Sequence, residues 1–482
     1  MKQLLFFFSL LIPTLSLAYD FKVDNICYKI TSLSDKICEV TSDTDESKYV
    51  GEIAIPSSVV YEGVDFTVTA IGYNAFANCY DLKSVRIPAS VSKVGNGAFS
   101  YCTGLESVFI ENSDTPLELG YNEMTYDSYT DGEGLFYRSS LSTIYIGRPI
   151  TFLSARRYGY SPFYKSRLKK VEFSSHVTEI PSRLFYLCHQ LNDVVFSSSI
   201  FSIKDFAFID CSDLVNLNLV EGLQTIGSEA FKNTSIVNLT IPQSVQSIGS
   251  SFRACKSLES VQILNDNLSI GDYAFCECSS LKSINLPSTM TFIPQSLFEG
   301  CTSLEFFPLP ENITEIKYSA FGSCSSFTSI KLPNKLEKIG SNAFDNCSNL
   351  KLVDLPESLT YLGFHAFLNC SNIETVICRA STPPAADNQA YENHSFDNGI
   401  YIRANLFVPD TTIDAYKSTS PWDNFFHVLP LSEYSGIENI FIDSVSPVLY
   451  YNVNGNMSVT PFNGLNIVKY SNGTYDKIFF NK

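Results

Sequence analysis

The residues of this sequence best suited to chemistry are its 14 cysteines. Thiolates attack disulfides and acyl groups and bind zinc, so the spacing of the cysteines decides which chemistry is open to them. Ten of them lie three residues after a phenylalanine: Cys79, Cys102, Cys188, Cys211, Cys255, Cys278, Cys301, Cys324, Cys347 and Cys370. A run of equivalent thiols has no natural pairing, and the sequence therefore predicts a buried, reduced ladder that fills space.

The other four cysteines are Cys27, Cys38, Cys276 and Cys378. Cys27 and Cys38 flank a predicted hairpin, where they could either pair or stay free. Cys276 and Cys278 are separated by a single residue, whereas zinc knuckles and redox motifs have a gap of two residues. The sequence therefore predicts no metal site and no cofactor.

The sequence contains none of the common catalytic motifs. It lacks a Walker loop, a G-x-G-x-x-G after a strand, an H-E-x-x-H and a G-x-S-x-G elbow, and its five histidines are scattered. A dispersed carboxylate pair is still a third functional hypothesis, because the two acids of a hydrolase can be distant in the chain. We predict a non-enzymatic protein with no catalytic residue.

The cysteines recur because most of the chain is a repeat. Its unit reads I-G-x-x-A-F-x-x-C-x-x-L-x-x-I-x-L-P-x-x-L-x-x, and one regular copy starts at Ile339-Gly340 and contains Phe344, Cys347 and Leu355-Pro356. The first positions of successive copies are 22 or 23 residues apart: Ile203, Ile226, Ile248, Ile270, Ile293, Ile316, Ile339 and Leu362. Ile71, Val94 and Ile180 begin further copies. A fixed period of this length indicates stacked repeats.

The unit predicts one short strand and one tight turn. The L-x-x-I-x-L segment alternates apolar and polar residues, which is typical of a strand with one buried face. The A-F-x-x-C segment is too short for an independent helix and fits a helical or 3-10 turn that buries its phenylalanine. One unit cannot bury its own apolar residues, but stacked units cover one another.

We therefore predict a repeat solenoid that is β-rich with short helical or 3-10 turns. It should have about 13 coils of 22–23 residues and β caps at both ends. One phenylalanine per coil forms the predicted core ladder: Phe76, Phe99, Phe136, Phe163, Phe185, Phe208, Phe231, Phe252, Phe275, Phe298, Phe321, Phe344 and Phe367.

Composition and the N-terminal residues bear on location and partners. Lys+Arg number 33 against 50 Asp+Glu, a net charge of −17 that disfavours nucleic acid and polybasic docking to membranes. Residues 1–18 combine Lys2, an apolar stretch from Leu4 to Leu17 and a small-x-small site ending at Ala18, which predicts a signal peptide. No later apolar run is long enough for a transmembrane helix. We expect a protein that is secreted or on the outer cell surface.

The A-F-x-x-C-x-x-L-x-x-I-x-L-P unit at a step of 23 resembles the BspA-like leucine-rich repeat family over roughly residues 50–430. The segment that precedes the repeats, with Phe66-Thr67-Val68, also resembles that family. So does the segment that follows them, with Leu406-Phe407-Val408-Pro409 and Trp422. The resemblance implies a secreted or surface-exposed protein of the Bacteroidetes type. Some members of that family are adhesins that bind host matrix proteins or other bacteria, and similar repeats occur in surface proteins of parasitic protists.

The chain divides by pattern into six parts. They are a signal peptide (1–18), an N-terminal β cap (19–70), the solenoid (71–378, with an insertion at 111–134), a loop and C-terminal cap (379–430), a linker (431–448) and a β-tail (449–482). The tail resembles the C-terminal tails of exported Bacteroidetes proteins, some of which use it as a type IX secretion signal. A simple β cap is the alternative interpretation.

Outward strand positions supply the candidate binding residues. Phe109 and Tyr145 lie beside the acidic insertion, which carries Tyr121, Tyr126 and Tyr129. A neutral, hydrogen-bonding stripe follows in the middle coils: Asn218, Thr240, Gln262 and Asn285. Later outward positions are Pro308, Lys331, Asp354 and Ile377. All of these residues could equally serve only to keep the sheet soluble.

Aromatic side chains beside adaptable polar ones suit the recognition of proteins or glycans. The favoured hypothesis is therefore adhesin-like binding of an extracellular protein ligand, with the first rank given to Phe109, Tyr145 and the insertion. Capture of a glycan by the polar stripe is the second hypothesis.

Overall fold

The computed structural model of the chain describes residues 19–43, 49–121, 135–152, 161–386, 395–434, 447–452, 457–458, 464–470 and 475–480. For Tyr121 and for the segments after residue 446 it describes the backbone alone. The predicted signal peptide (1–18) and residues 122–134 of the insertion lie outside the described residues. The chain is a β-solenoid of about 14 turns, with two compact units at residues 1–176 and 177–482.

The first unit contains two sheets. Its strands are β1 (Phe21–Val23), β2 (Ile26–Ser32), β3 (Ile37–Val40), β4 (Gly51–Ala54), β5 (Ser58–Tyr61), β6 (Val64–Ile71), β7 (Leu82–Ile87), β8 (Lys93–Gly95), β9 (Ser107–Ile110), β10 (Leu117–Tyr121), β11 (Thr143–Ile146), β12 (Ile150–Thr151) and β13 (Lys170–Phe173). One sheet has the order β1-β2-β3-β6-β8-β10-β12 with β5 on β6, and the other contains β4, β7, β9, β11 and β13 in that order. Strands of successive coils pair in parallel.

The second unit continues the same pattern. Its strands are β14 (Glu179–Ile180), β15 (Asp193–Val195), β16 (Ser202–Ile203), β17 (Thr225–Ile226), β18 (Asn238–Ile241), β19 (Ser247–Ile248), β20 (Ser260–Ile263), β21 (Ser269–Ile270), β22 (Ser283–Ile284), β23 (Phe292–Ile293), β24 (Glu315–Ile316), β25 (Ser329–Lys331), β26 (Lys338–Ile339), β27 (Leu352–Leu355), β28 (Tyr361–Leu362), β29 (Thr375–Cys378), β30 (Ala385–Ala386), β31 (Asn405–Val408) and β32 (His427–Pro430). Helices α1 (Asn398–Arg403) and α2 (Ile413–Tyr416) and 3-10 turns at Asp410–Thr412, Trp422–Asn424 and Leu431–Glu433 follow the coils. An antiparallel tail sheet of order β34-β33-β35-β36 comprises β33 (Pro447–Asn452), β34 (Met457–Ser458), β35 (Gly464–Tyr470) and β36 (Tyr475–Phe480).

Regular coils contribute two strands, whereas the sequence pattern predicted one. The second is the residue pair that ends at the Ile of Ile-Gly, as in β17 and β19, which pair in parallel at Ile226 and Ile248. These short strands form their own sheet, β14-β16-β17-β19-β21, while β18, β20 and β22 form another. The difference arises because a two-residue strand is too short to show an alternating apolar pattern.

The core is a column of stacked phenylalanine rings in each unit. In the first unit the rings of Phe76, Phe99, Phe136 and Phe163 stack at centroid distances of 5.3, 5.2 and 5.2 Å. In the second unit the rings from Phe185 onward stack at 5.1 to 6.3 Å. Burial of each ring contributes about 1.5–3 kcal/mol to stability. The predicted ladder is confirmed.

The column is longer at one end than the sequence indicated. Phe396 stacks on Phe367 at 5.1 Å and forms a parallel bridge with it. Phe396 also contacts Trp422, Tyr401 and Phe425 edge to face. Trp422 is fully buried, and its indole N–H donates to Pro384 O at 2.8 Å. These aromatic residues cover the last ring of the column.

The thiols of the ladder cysteines have a specific bonding role. The carbonyl oxygen of Phe76 accepts the backbone N–H of Cys79 at 3.2 Å and the thiol of Cys102, one coil later, at 3.0 Å. The same thiol bond to the previous ladder phenylalanine recurs at 3.0–3.3 Å from Cys211, Cys255, Cys278, Cys301, Cys324, Cys347 and Cys370. A buried carbonyl with an unused lone pair is costly, so the thiol both fills space and completes a hydrogen-bond pattern.

The turn around each ladder phenylalanine depends on left-handed backbone conformations. The second residue after the ring has a positive φ in successive coils, for example Leu187 (59°), Asn233 (57°), Ser323 (61°) and Asn346 (59°). A left-handed conformation costs an L-residue about 1–2 kcal/mol, and Gly and Asn tolerate it best. The solenoid imposes this geometry even where the sequence supplies an unfavourable residue.

The structure decides the open question of Cys27 and Cys38, and it shows that two expected outward positions are wrong. Cys27 and Cys38 are buried free thiols, and Cys38 lies opposite Ile30, three positions beyond Cys27 along β2, so the register separates them. Asp354 and Ile377, expected to point outward into solvent, are 7% and 1% exposed. Arg379 binds the Asp354 carboxylate with two hydrogen bonds, and Ile377 lies beside Phe407, on which Tyr434 packs.

Two coils lack the expected longer strand. Residues 214–220 and 304–310 do not form strands. The sheet β18-β20-β22 therefore ends before each of these two coils. Pro308 occupies an outward strand position in the later coil and has no N–H to donate to a ladder, which explains the second interruption. Nothing in the local sequence explains the first. None of the described helices is long and apolar enough to cross a membrane.

A first prediction concerns the left-handed positions. Replacing Ser323, which has a φ of 61° and no side-chain hydrogen bond, by Gly should raise the free energy of unfolding by about 1 kcal/mol. Ser348→Gly is the matched control, because Ser348 is equally half-buried but does not have a positive φ. We expect the control to lower stability in denaturant titrations, and equal effects of the two substitutions would contradict the strain argument.

A second prediction concerns the thiol ladder. Burial raises the pKa of Cys102 to about 12 and that of Cys255 to about 11, so almost no thiolate forms at neutral pH. A thiol reagent at about pH 8 should leave the ten ladder cysteines of the native protein unlabelled and react with them after unfolding. An added exposed thiol, Asn349→Cys, provides the positive control for labelling. Fewer than half of the ten being reduced in the unfolded protein would refute the ladder.

Candidate functional site

The strongest candidate site lies on the outward face of the first unit, in the sheet that contains β7, β9, β11 and β13. Alternation along these strands sends Val85, Val108 and Ile144 into the core and the intervening residues outward. The parallel register places Arg86 beside Phe109, Phe109 beside Tyr145 and Tyr145 beside Glu172. The outward side chains of four coils therefore form one continuous row.

The centre of this row is a stack of a cation on two aromatic rings. The rings of Phe109 and Tyr145 are parallel within 5°, with centroids 4.5 Å apart. The guanidinium carbon of Arg86 lies 4.3 Å from the Phe109 centroid on its other side. Both rings are half-buried and Arg86 is exposed. Such stacking holds the side chains in place before any ligand arrives. We call these three residues the aromatic row.

Polar contacts fix the borders of the aromatic row. Glu111 accepts a hydrogen bond from Arg86 Nε at 2.7 Å and another from the Ala89 backbone N–H at 3.2 Å. The Tyr145 hydroxyl donates to Asn112 Oδ1 at 3.0 Å. The segment that leads into the insertion is thereby tied to the row at two points.

A buried arginine supports the loop beneath Glu111. Arg148 is fully buried and donates from its guanidinium to Pro88 O and Ala89 O, both at 2.9 Å. Burial lowers the pKa of Arg148, while the nearby charge of Glu111 opposes this shift. Because the Arg148 bonds hold residues 88–89 and Glu111 binds the Ala89 N–H, the aromatic row rests on an ordered polar support.

The arrangement is suited to recognition. It offers a flat aromatic surface, a guanidinium, a carboxylate and a phenol side by side on a rigid sheet, and Tyr and Arg are enriched among residues that dominate binding energy. Among the described residues no cluster of His, Cys, Asp or Glu could hold a metal ion.

The other predicted site residues have different surroundings. Tyr121 ends β10, and only its backbone is described, while Tyr126 and Tyr129 lie outside the described residues. Asn218 and Thr240 are exposed and line a shallow depression of about 400 Å³ with Asn216, Asn238 and Glu221. The structure therefore brings Phe109 and Tyr145 together and places Asn218 beside Thr240.

The stripe of the middle coils is not uniform. The Asn285 side chain accepts the N–H of Ile263 and donates to the carbonyl of Ile263, both at 2.8 Å, so it takes the place of a strand after β22 ends at Ile284. Gln262 is half-buried with a buried Nε2 that has no hydrogen-bond partner. Asn285 serves the backbone, which leaves Asn218 and Thr240 as the open part of the stripe.

Sequence reasoning did not assign Arg86 to the site, and it included Glu111 and Asn112 only as members of the 111–134 insertion, without a role. A signal for Arg86 was present, because equivalent outward positions of successive coils become neighbours in a parallel sheet. Glu111 and Asn112 follow β9 directly, and their contacts depend on the path of the chain after the strand, which the repeat pattern does not encode.

Comparison with known proteins concerns the repeat. A family model described as a BspA type leucine rich repeat region matches in six copies at residues 62–161, 132–259 and 249–374. A comparison with curated proteins finds no match.

Solved structures include similar folds. A leucine-rich repeat protein from Bacteroides ovatus is 28% identical with a TM-score of 0.53, over 74% of this chain and 94% of that one. A leucine rich cell surface protein from Faecalibacterium prausnitzii is 22% identical with a TM-score of 0.38, over 77% and 95% of the two chains. The matched repeats cover more than half of the sequence, and the chain therefore belongs to the BspA type leucine rich repeat family.

Proposed function

We propose that this protein is a non-enzymatic, extracellular binding protein that recognises a protein ligand in the manner of an adhesin. The observation that carries the proposal is the aromatic row, Arg86, Phe109 and Tyr145. Its three side chains are held by one another and by Glu111 and Asn112, so little conformational entropy is lost when a ligand binds.

The proposed ligand surface extends from the row toward the insertion. Tyr121, Tyr126 and Tyr129 belong to that segment, together with six acidic residues between positions 111 and 134 beyond Glu111 itself. Tyrosines add rigid contact area with a polar end, and the acidic residues favour a partner with basic side chains.

A second candidate function is the capture of a neutral glycan at the depression around Asn218 and Thr240. Several amide and hydroxyl groups converge there on a shallow concave surface. An enzyme that uses a dispersed carboxylate pair is the third candidate, and a broad hydrolase screen without turnover would remove it.

Delivery of the protein to the outside is part of the proposal. Residues 1–18 have the pattern of a signal peptide. The antiparallel sheet β33–β36 fits a role of the tail in sorting by the type IX route, and a β cap without a sorting role is the alternative. The chain would then be released or held at the outer surface.

Substitution of the aromatic row tests the proposed ligand surface. The full mature chain is applied to arrays of purified extracellular-matrix proteins and of oligosaccharides. Phe109→Ser combined with Tyr145→Ser should weaken binding to any captured matrix protein by about tenfold or more, because central aromatic residues dominate interfaces.

Val195→Ser combined with Lys331→Ser is the matched control, because both residues are exposed outward strand positions of the second unit. Equal binding by the row variant and the wild type would refute the site. Binding to oligosaccharides alone, lost on Asn218→Ala with Thr240→Ala, would replace the favoured function by the second one.

Deletion of the tail tests the sorting proposal. A chain that ends at Tyr434 should be made and folded but should accumulate inside a type IX-competent host, while the full chain reaches the medium or the cell surface. The measurement is fractionation with antibody detection. Equal export of both chains would show that the tail is only a cap.

A further inference from the structure

Charge is strongly segregated within the first unit. Residues 135–171 contain eight of the 33 basic residues of the chain and none of its 50 acidic residues. The preceding stretch, residues 101–134, has the opposite composition, with eight acidic and no basic residues. In a protein with a net charge of −17, an uninterrupted basic segment of this length is a local exception.

The fold places four of these basic side chains on one edge of the unit. Arg138 and Lys165 are each the second residue after a ladder phenylalanine, and both have a positive φ, 54° and 51°. They are therefore equivalent residues of neighbouring coils whose rings, Phe136 and Phe163, stack at 5.2 Å. Arg167 and Lys169 continue the edge, because alternate residues from Lys165 onward are exposed while Ser166 and Leu168 point inward.

Not every basic residue of the segment belongs to this edge. Arg148 is buried beneath the loop at Pro88 and Ala89. Arg156 and Arg157 lie outside the described residues, and Lys170 is half-buried at the start of β13. The exposed set is Arg138, Lys165, Arg167 and Lys169.

Tyrosine rings are interleaved with these cations. The Arg138 guanidinium carbon lies 5.6 Å from the ring centroid of Tyr101 and 5.3 Å from that of Tyr137. Tyr101 and Tyr137 contact each other edge to face at 5.6 Å. The Lys165 ammonium lies 4.8 Å from the centroid of Tyr164. Half-buried tyrosine rings thus alternate with exposed cations along the edge of three coils.

Three of these cations differ in their ion pairing from several lysines and arginines elsewhere in the solenoid. In other coils a lysine or arginine pairs with an acid of the neighbouring coil, as in Lys83–Glu106 at 3.4 Å and Lys282–Glu259 at 2.9 Å. Within the described part of the chain, Arg138, Arg167 and Lys169 form no ion pair. Repulsion within a row of like charges raises the energy of the free protein. An anion that binds along the row relieves part of this repulsion, which favours binding.

We propose that this basic edge, composed of Tyr101, Tyr137, Arg138, Tyr164, Lys165, Arg167 and Lys169, binds an anionic polysaccharide. The guanidinium and ammonium groups pair with sulfate or carboxylate groups that repeat along the polymer. The tyrosine hydroxyls form hydrogen bonds with the hydroxyl groups of the sugar units between those charges. The site differs from the aromatic row, which lies on the outward sheet face and contains Arg86 in an ion pair with Glu111.

A polysaccharide fits better than a nucleic acid. Tyr101 and Tyr137 are packed edge to face against each other and against Arg138, so they do not form the open stacking platform that single-stranded nucleic acids use. The acidic stretch at residues 101–134 and the net charge of −17 also repel a long, densely charged duplex.

The test uses the full mature chain with heparin fragments as the probe. The edge variant combines Arg138→Ser, Arg167→Ser and Lys169→Ser. Serine is chosen because the coil of Phe136 already has Ser140 where the next coil has Arg167, and Ser142 where it has Lys169. The matched control combines Lys256→Ser, Lys335→Ser and Lys351→Ser, three exposed lysines of the second unit that change net charge equally.

We expect the wild type and the control to bind heparin with similar Kd, and the edge variant to bind about tenfold or more weakly with a shallower dependence on salt. Circular dichroism and Tm check that the variants are folded. If the triple edge variant unfolds, Arg167→Ser with Lys169→Ser alone should still weaken binding severalfold, because both side chains are exposed.

Three outcomes would overturn the proposal. They are no binding of heparin by the wild type, equal binding by the edge variant and the wild type, and binding of a single-stranded oligonucleotide of matched charge as tightly as heparin. None of these depends on the aromatic row, so the result is independent of the matrix-protein experiment.

Discussion

Stacking of one phenylalanine on the next is the interaction on which this structure depends. Each ladder ring has its ring neighbours in the adjoining coils, for example Phe231 between Phe208 at 5.2 Å and Phe252 at 5.5 Å. A coil of 22 or 23 residues has no core of its own, because the entropy of ordering it exceeds what one buried ring returns. Stability therefore resides in the interfaces between coils, as in other repeat proteins.

The carbonyl of the ladder phenylalanine explains why cysteine suits the position three residues later. That oxygen already accepts a backbone N–H within its own turn, as Phe344 O accepts from Cys347 at 3.3 Å, and it has a second lone pair in the core. The thiol of Cys370, which belongs to the next coil, donates to this second lone pair at a distance of 3.0 Å. Where the turn is shorter, the Thr234 hydroxyl donates to Phe231 O of its own coil at 2.8 Å, and the same oxygen accepts the thiol of Cys255 from the next coil at 3.1 Å.

The sequence determined the regular parts of the fold, because period, strand pattern and ladder positions are all local and repeated. The sequence did not predict Phe396 as a ladder residue, because residues inserted after Ala386 make its sequence separation from Phe367 longer than the repeat period. The repeat pattern did not predict the burial of Asp354 and Ile377. That burial depends on Arg379, Phe407 and Tyr434, which lie outside the repeat unit that defined the outward positions. In the candidate site, alternation placed Phe109 and Tyr145 outward, but the contacts of Glu111 and Asn112 arise from an irregular segment.

A solenoid also converts a fixed sequence separation into contact between side chains. Ion pairs join residues 23 to 25 positions apart, as in Lys83–Glu106, Arg86–Glu111 and Arg379–Asp354. Equivalent positions of neighbouring coils are thus forced together, and like charges there repel unless another group intervenes. Between residues 135 and 171 the sequence supplies no acid, and tyrosine rings lie beside Arg138 and Lys165. A ring contacts a cation without neutralising it, whereas the carboxylate of an ion pair such as Lys282–Glu259 does neutralise its partner.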